Sequence, residues 1–168
     1  MTPSNDTIVA PATASGGAIA VIRLSGPDAI ACCDRIFRGR RPLCEAPAGT
    51  LHYGRIADGE RTIDDVVAAL FRAPRSYTGE DSVEISCHGS RYIVSEILAL
   101  LLRSGARMAH PGEFTTRAFL AGKLDLSQAE AVADLIAADS RAAHAMASTQ
   151  MRGGSSSALA PLREELLP

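Results

Sequence analysis

The spacing of apolar and polar residues changes several times along this chain, and each change marks an element. Residues 6–10 (DTIVA) form a short β-rich run, followed by a loop of small residues over 11–17. Residues 18–24 (AIAVIRL) are compact and β-branched, as a buried strand requires. Ser25-Gly26-Pro27-Asp28 is a turn that opens a helix, with Ser25 or Asp28 near the cap and Pro27 early in the first turn. Over 29–37, Ile30, Cys33, Ile36 and Phe37 recur at helical spacing. A basic loop containing Pro and Gly, 38–49, leads to a strand over 50–56. There Leu51, Tyr53 and Arg55 share one face and His52, Gly54 and Ile56 the other. Asp58-Gly59-Glu60 signals a hairpin turn, with the return strand over 62–72. Residues 73–81 (APRSYTGED) have loop chemistry, and 82–88 alternate with Val83, Ile85 and Cys87 inward and Glu84 outward. A helix over 91–103 places Ile93, Ile97, Leu100 and Leu101 on one stripe and stops at Ser104-Gly105. A short strand at 107–109 closes the series.

This order predicts an α+β fold: a mostly antiparallel sheet with a βαββαβ-like layer and helices on one face. Strand signals end at Glu113. A short helix is expected over 113–121, and Ser127 with Glu130 forms a capping box. Nine alanines in the 24 residues from Ser127 to Gln150 predict one long helix. Gly153-Gly154 with Ser155–Ser157 breaks it, and 158–167 restarts a helix. Its stripe of Leu159, Leu162, Leu166 and Leu167 has nothing left in the sequence to cover it. The expected organisation is one α+β domain over 1–120 and the first helices of a helical domain over 121–168.

Composition narrows the function. Of 168 residues, 46% are hydrophobic, enough for a buried core. Lys plus Arg is 17 and Asp plus Glu is 19, so the net charge is −2 and gives no global reason to bind nucleic acid or a membrane surface. Any contact with RNA is local or delegated to a partner. Trp is absent and aromatics are 4%, a poor supply of base-stacking platforms. Cys32, Cys33, Cys44 and Cys87 make no CxxC pair, so no zinc or thioredoxin-like site is indicated. Adjacent Cys32 and Cys33 do not suit a bridge, and one is expected in the core with the other partly exposed. The polar start resembles no signal peptide, and apolar runs fall far short of the ~20 residues of a membrane span. The expectation is a cytoplasmic protein with reduced thiols and no membrane partner.

No catalytic motif is legible. GxGxxG and HExxH are missing, and Gly122-Lys123-Leu124 is not the end of a P-loop, which needs Gly at Arg117 and Ser or Thr at Leu124. What remains is a set of polar residues at the ends of elements. Arg23 closes a strand, where it either faces a pocket or snorkels over the sheet. Residues 77–81 (YTGED) put two carboxylates and a phenol on one turn. A carboxylate there is either a bidentate acceptor for a 2-aminopyrimidinone edge, as in guanine or pterin, or part of a solvated turn. His88 is either a hydrogen-bonded structural residue or a ligand. Pro111-Gly112-Glu113-Phe114 and Lys123-Leu124-Asp125-Leu126 bracket the short helix, as site residues or as ordinary end charges.

Taken together and in order, DTIVA at 6–10, IRLSG at 22–26, YTGED at 77–81, His88-Gly89, PGEFT at 111–115, RAFL at 117–120 and GKLDLSQAEAVADLI at 122–136 resemble the N-terminal region of the MnmE (TrmE) tRNA-modification GTPase family. The resemblance runs over essentially the whole chain. It departs at Thr13-Ala14-Ser15-Gly16-Gly17, where the family usually carries a Gly-Arg-Gly run. It implies a tetrahydrofolate-binding, constitutively homodimeric domain, with 5-formyltetrahydrofolate or 5,10-methylenetetrahydrofolate held by Arg23, Glu80 and Lys123. It further implies partnership with the flavoprotein MnmG (GidA) and with tRNA at wobble uridine U34. GTP, Mg and K belong to a G domain that this sequence does not contain. The alternative expectation is a structural dimerisation or docking module that binds no ligand.

Overall fold

A computed structural model describes residues 5–14 and 16–152. The strands are β1 (Ile8–Pro11), β2 (Ile19–Ser25), β3 (Phe37–Gly39), β4 (Thr50–Asp58), β5 (Arg61–Phe71), β6 (Ser82–His88) and β7 (Arg107–Met108). The helices are α1 (Ala29–Ile36), α2 (Arg91–Arg103), α3 (Glu113–Leu120), α4 (Leu126–Ala137) and α5 (Arg141–Met151), with a 3-10 turn at Leu43–Glu45. By its internal contacts the chain divides into two units after Phe114.

The first unit is a seven-stranded sheet in the order β3-β4-β5-β6-β2-β1-β7, antiparallel except for the parallel pair β1–β7. The α+β expectation therefore holds. Strand side chains alternate between faces. Ala20, Ile22 and Leu24 of β2, Val66, Ala68 and Leu70 of β5, and Val83, Ile85 and Cys87 of β6 are all buried. They join Ile30, Cys33 and Ile36 of α1 and Ile97, Leu100 and Leu101 of α2 in one core. Both helices pack on the sheet and on each other, so they cover a single face. The other face is open, with Leu51, Tyr53 and Ile19 exposed. Cys32 and Cys33 are both buried, against the expectation that one would be partly exposed. Residue 32 is held by an Sγ–H donated to Ser104 O at 3.1 Å, beneath the end of α2.

The second unit departs from the single long helix predicted from alanine content. Residues 126–151 form two helices, α4 and α5, separated at Ala138-Asp139-Ser140. Alanine favours helix but does not fix its length, whereas Ser140 caps α5 by accepting the Ala143 N–H at 3.2 Å. The start of α4 is tied to the finish of α5: Gln128 Nε2 donates to Met151 O at 2.9 Å, and Gln150 Nε2 donates to Ser127 O at 3.2 Å. The capping box also lies two residues earlier than expected. Asp125 Oδ1 accepts from Gln128 N at 2.8 Å, and Gln128 Oε1 accepts from Asp125 N at 2.9 Å. Aspartate is at least as good an N-cap as serine, and starting at Leu126 lengthens the helix. The expected glycine-serine break at 153–157 and terminal helix over 158–167 lie outside the described residues. No helix among the described residues is long and apolar enough to cross a membrane.

Candidate functional site at the end of β2

Residues two apart on a strand share a face, so Arg23 and Ser25 both point to the open side of the sheet. The β2–β6 register sets Glu84 directly opposite Arg23 and Ser82 opposite Ser25. Arg23 Nε donates to Glu84 Oε1 at 2.8 Å, and a terminal guanidinium nitrogen lies 2.7 Å from the same oxygen. The guanidinium carbon is 5.2 Å from the centre of the Tyr77 ring and 5.8 Å from that of Phe114, both within cation–π range. Phe114 is brought there by its neighbour. Glu113 accepts two hydrogen bonds from Arg107, at 2.8 and 2.6 Å, and one from His110 N at 2.8 Å.

Glu80 is fixed by hydroxyls. Ser25 Oγ donates to Glu80 Oε2 at 2.7 Å, Ser25 and Thr78 hydroxyls lie 2.6 Å apart, and Glu80 N donates to Thr78 Oγ1 at 3.3 Å. The three bonds close a ring in which each hydroxyl donates once and accepts once. In such a ring each bond polarises the next and the carboxylate loses rotational freedom. The loop is stitched to the strand from below by Gly26 N to Asp81 O at 3.0 Å and Ser82 Oγ to Leu24 O at 2.6 Å. Gly26 is required there: its φ is +135°, and a Cβ would sit 2.6 Å from Asp6 O.

Two of the three residues picked out from sequence thus meet at one corner of the sheet. Arg23 and Glu80 flank Ser25, although it is Glu84, not Glu80, that pairs with the guanidinium. Lys123 lies in the second unit, in the turn between α3 and α4, where its backbone N–H donates to Ala118 O at 2.9 Å. Glu84 and Thr78 carry no sequence signal of a role here, and Ser25, a candidate cap by sequence, instead holds Glu80 while Asp28 takes the N-cap position of α1. Sequence gives Glu84 only an outward position on a strand, and the register alone reveals that it faces Arg23. His88 settles on the structural alternative: Nδ1 lies 2.7 Å from Asp64 Oδ1, and its backbone N–H donates to Asp64 Oδ2 at 2.8 Å. Among the described residues no cluster of three or more His, Cys, Asp or Glu could hold a metal ion.

The architecture is therefore an α+β layer with one open face, a locked acidic corner beside an aromatic-flanked arginine, and a helical pair after it. Comparison with known proteins gives the family. Residues 7–123 match the family described as the GTP-binding protein TrmE N-terminus, and the chain belongs to it. It is similar to tRNA modification GTPases MnmE from several bacteria. Identity is 60% over 166 residues with that of Christiangramia forsetii (97% of this chain, 35% of the relative). It is 59% over 167 residues with that of Bacteroides fragilis (98% and 36%) and 57% over 167 residues with that of Flavobacterium johnsoniae (98% and 36%). The chain thus spans about a third of the length of these curated relatives.

Proposed function

We propose that this chain is the folate-binding and dimerisation portion of a cytoplasmic tRNA-modification GTPase acting on wobble uridine U34. The supporting observation is the hydroxyl ring around Glu80. A carboxylate held at fixed orientation matches the parallel N–H donors of a pterin edge, while Arg23 and Lys123 suit the carboxylates of a glutamyl tail. These residue types fit a reduced folate: an oriented acceptor, two cations, and the Tyr77 and Phe114 rings beside Arg23. When bound, 5-formyl- or 5,10-methylenetetrahydrofolate supplies the one-carbon unit. The chain's own part is to bind and orient that carrier, and to pair with a second copy in a homodimer. GTP, Mg and K, the flavoprotein MnmG and the tRNA are assigned to the longer protein.

Titration calorimetry with 5-formyltetrahydrofolate is expected to give saturable heat that Glu80→Ala and Arg23→Ala each weaken. Lys123 is the only lysine in the sequence. Amine acylation followed by peptide mapping is therefore expected to show it protected by the folate. No heat with the wild-type chain, together with a dimer by sedimentation, would favour the purely structural module instead.

A further inference from the structure

The near-neutral net charge conceals a local excess. From Arg35 to Arg41 the chain carries Arg35, Arg38, Arg40 and Arg41 with no acidic residue among them. The fold adds a fifth: the β3–β4 register places Arg38 directly opposite Arg55, whose cross-strand neighbour on the β5 side is Asp65. Among the described residues, neither Arg40 nor Arg41 hydrogen-bonds or pairs with any group, and both are exposed.

The two arginines line a depression of about 500 Å³ together with Phe37, Pro47, His52 and Tyr53. It forms because β3 is short. It pairs β4 only at Gly54–Ile56, so Thr50–Tyr53 of β4 have a strand on one side alone. The Phe37 ring packs close to Gly39 and Gly54, where a Cβ at either position would fall 2.4 Å from it. Tyr53 projects from the open face with 72% of its surface exposed. Two unpaired guanidinium forks suit phosphate, and an exposed aromatic ring offers a base a stacking surface. The size is that of a small-ligand pocket, ample for one nucleotide unit.

We infer that this β3–β4 edge is a docking site for an unpaired segment of RNA, with phosphates on Arg40 and Arg41 and a base stacked on Tyr53. The choice of RNA over another polyanion rests on the tRNA reading above; the site itself does not depend on folate. It is a local contact through which a chain of net charge −2 can meet RNA.

The test is fluorescence anisotropy of the whole chain with an RNA hairpin bearing an unpaired loop, and with the same stem closed into a blunt duplex. The hairpin is expected to bind more tightly than the duplex. R40E/R41E is expected to weaken hairpin binding at least tenfold and to flatten the log K against log salt slope by about 1.4, two single-strand phosphate contacts. Tyr53→Ala is expected to weaken it roughly tenfold with the salt slope unchanged, and Tyr53→Phe to restore it. Arg91→Glu, on α2, is expected to change nothing. The proposal is overturned if wild type does not bind the hairpin, or if Arg91→Glu weakens binding as much as R40E/R41E. It is equally overturned if R40E/R41E binds RNA normally while losing affinity for a polyglutamate peptide. Heat from 5-formyltetrahydrofolate should be unchanged in R40E/R41E. Loss of RNA binding and failure of the folate reading are thereby separable.

Discussion

The sheet layer and the α4–α5 pair are held together by different means. In the layer, two helices cover one face of seven strands and bury large side chains completely, Ile22, Leu70, Ile85, Ile97 and Leu101 among them. In the pair, the buried side chains are alanines, Ala131 and Ala147, while Ile136 and Met146 are 82% and 76% exposed. Burial of apolar area therefore specifies the layer, whereas caps and end-to-end amide bonds define the pair. A substitution of the same kind should have very different consequences in the two regions.

The largest effect is expected in the layer. Leu101→Ala, at a fully buried site on α2, should cost about 2–5 kcal/mol, read as a lowered midpoint in urea. If it costs under about 1 kcal/mol, the layer is not specified by packing. Gly89→Ala should follow at roughly 1–3 kcal/mol, because its Cβ would fall 1.8 Å from the Gly17 carbonyl oxygen, and a backbone atom cannot swing aside. The same backbone closeness gives the Gly89 N–H to Ala18 O bond of 2.9 Å.

An alkaline shift should separate the regions without any substitution, since all four cysteines lie in the layer. Burial pushes the Cys87 thiol from 9.0 up to about 11 and raises Cys33 as well. The folded chain keeps these protons longer than the unfolded one, so their stabilisation is complete below pH 9 and is lost as pH rises toward 11. Denaturant midpoints should therefore fall over that window, and Cys87→Ala should make the fall shallower. An equal slope in both proteins would contradict the assigned burial.

In the helical pair the effects should be smaller. Asp125→Ala removes one half of the capping box and should cost about 1 kcal/mol, seen as fraying of α4 by hydrogen exchange. Ile136→Ser, at an exposed position, should stay within about 0.5 kcal/mol. A large loss at Ile136 would mean that the pair carries a packed core after all.

How much was legible from sequence follows the same division. Period-2 and period-3.6 patterns located β6 and α2 to the residue, because a buried face must repeat in step with its backbone geometry. Alanine content located helix over 126–151 but not the break at Ala138-Asp139-Ser140, since propensity is nearly indifferent to one helix or two. For the candidate site, Arg23 and Glu80 were visible as charged residues at element ends. The ring of Ser25 and Thr78 around Glu80 was not, because a hydroxyl has no signature until a partner 53 or 55 residues away is set beside it.

The sequence by itself determined most of the elements of the layer and their order, the short β3 excepted, together with the charges that end its strands, since local backbone periodicity and turn chemistry act over a few residues. Only the tertiary structure decided that Glu84 stands against Arg23, that Arg38 stands against Arg55, and that a short β3 leaves Arg40 and Arg41 beside Tyr53. Strand register is a non-local choice, fixed when distant segments share one core, and no local pattern contains it.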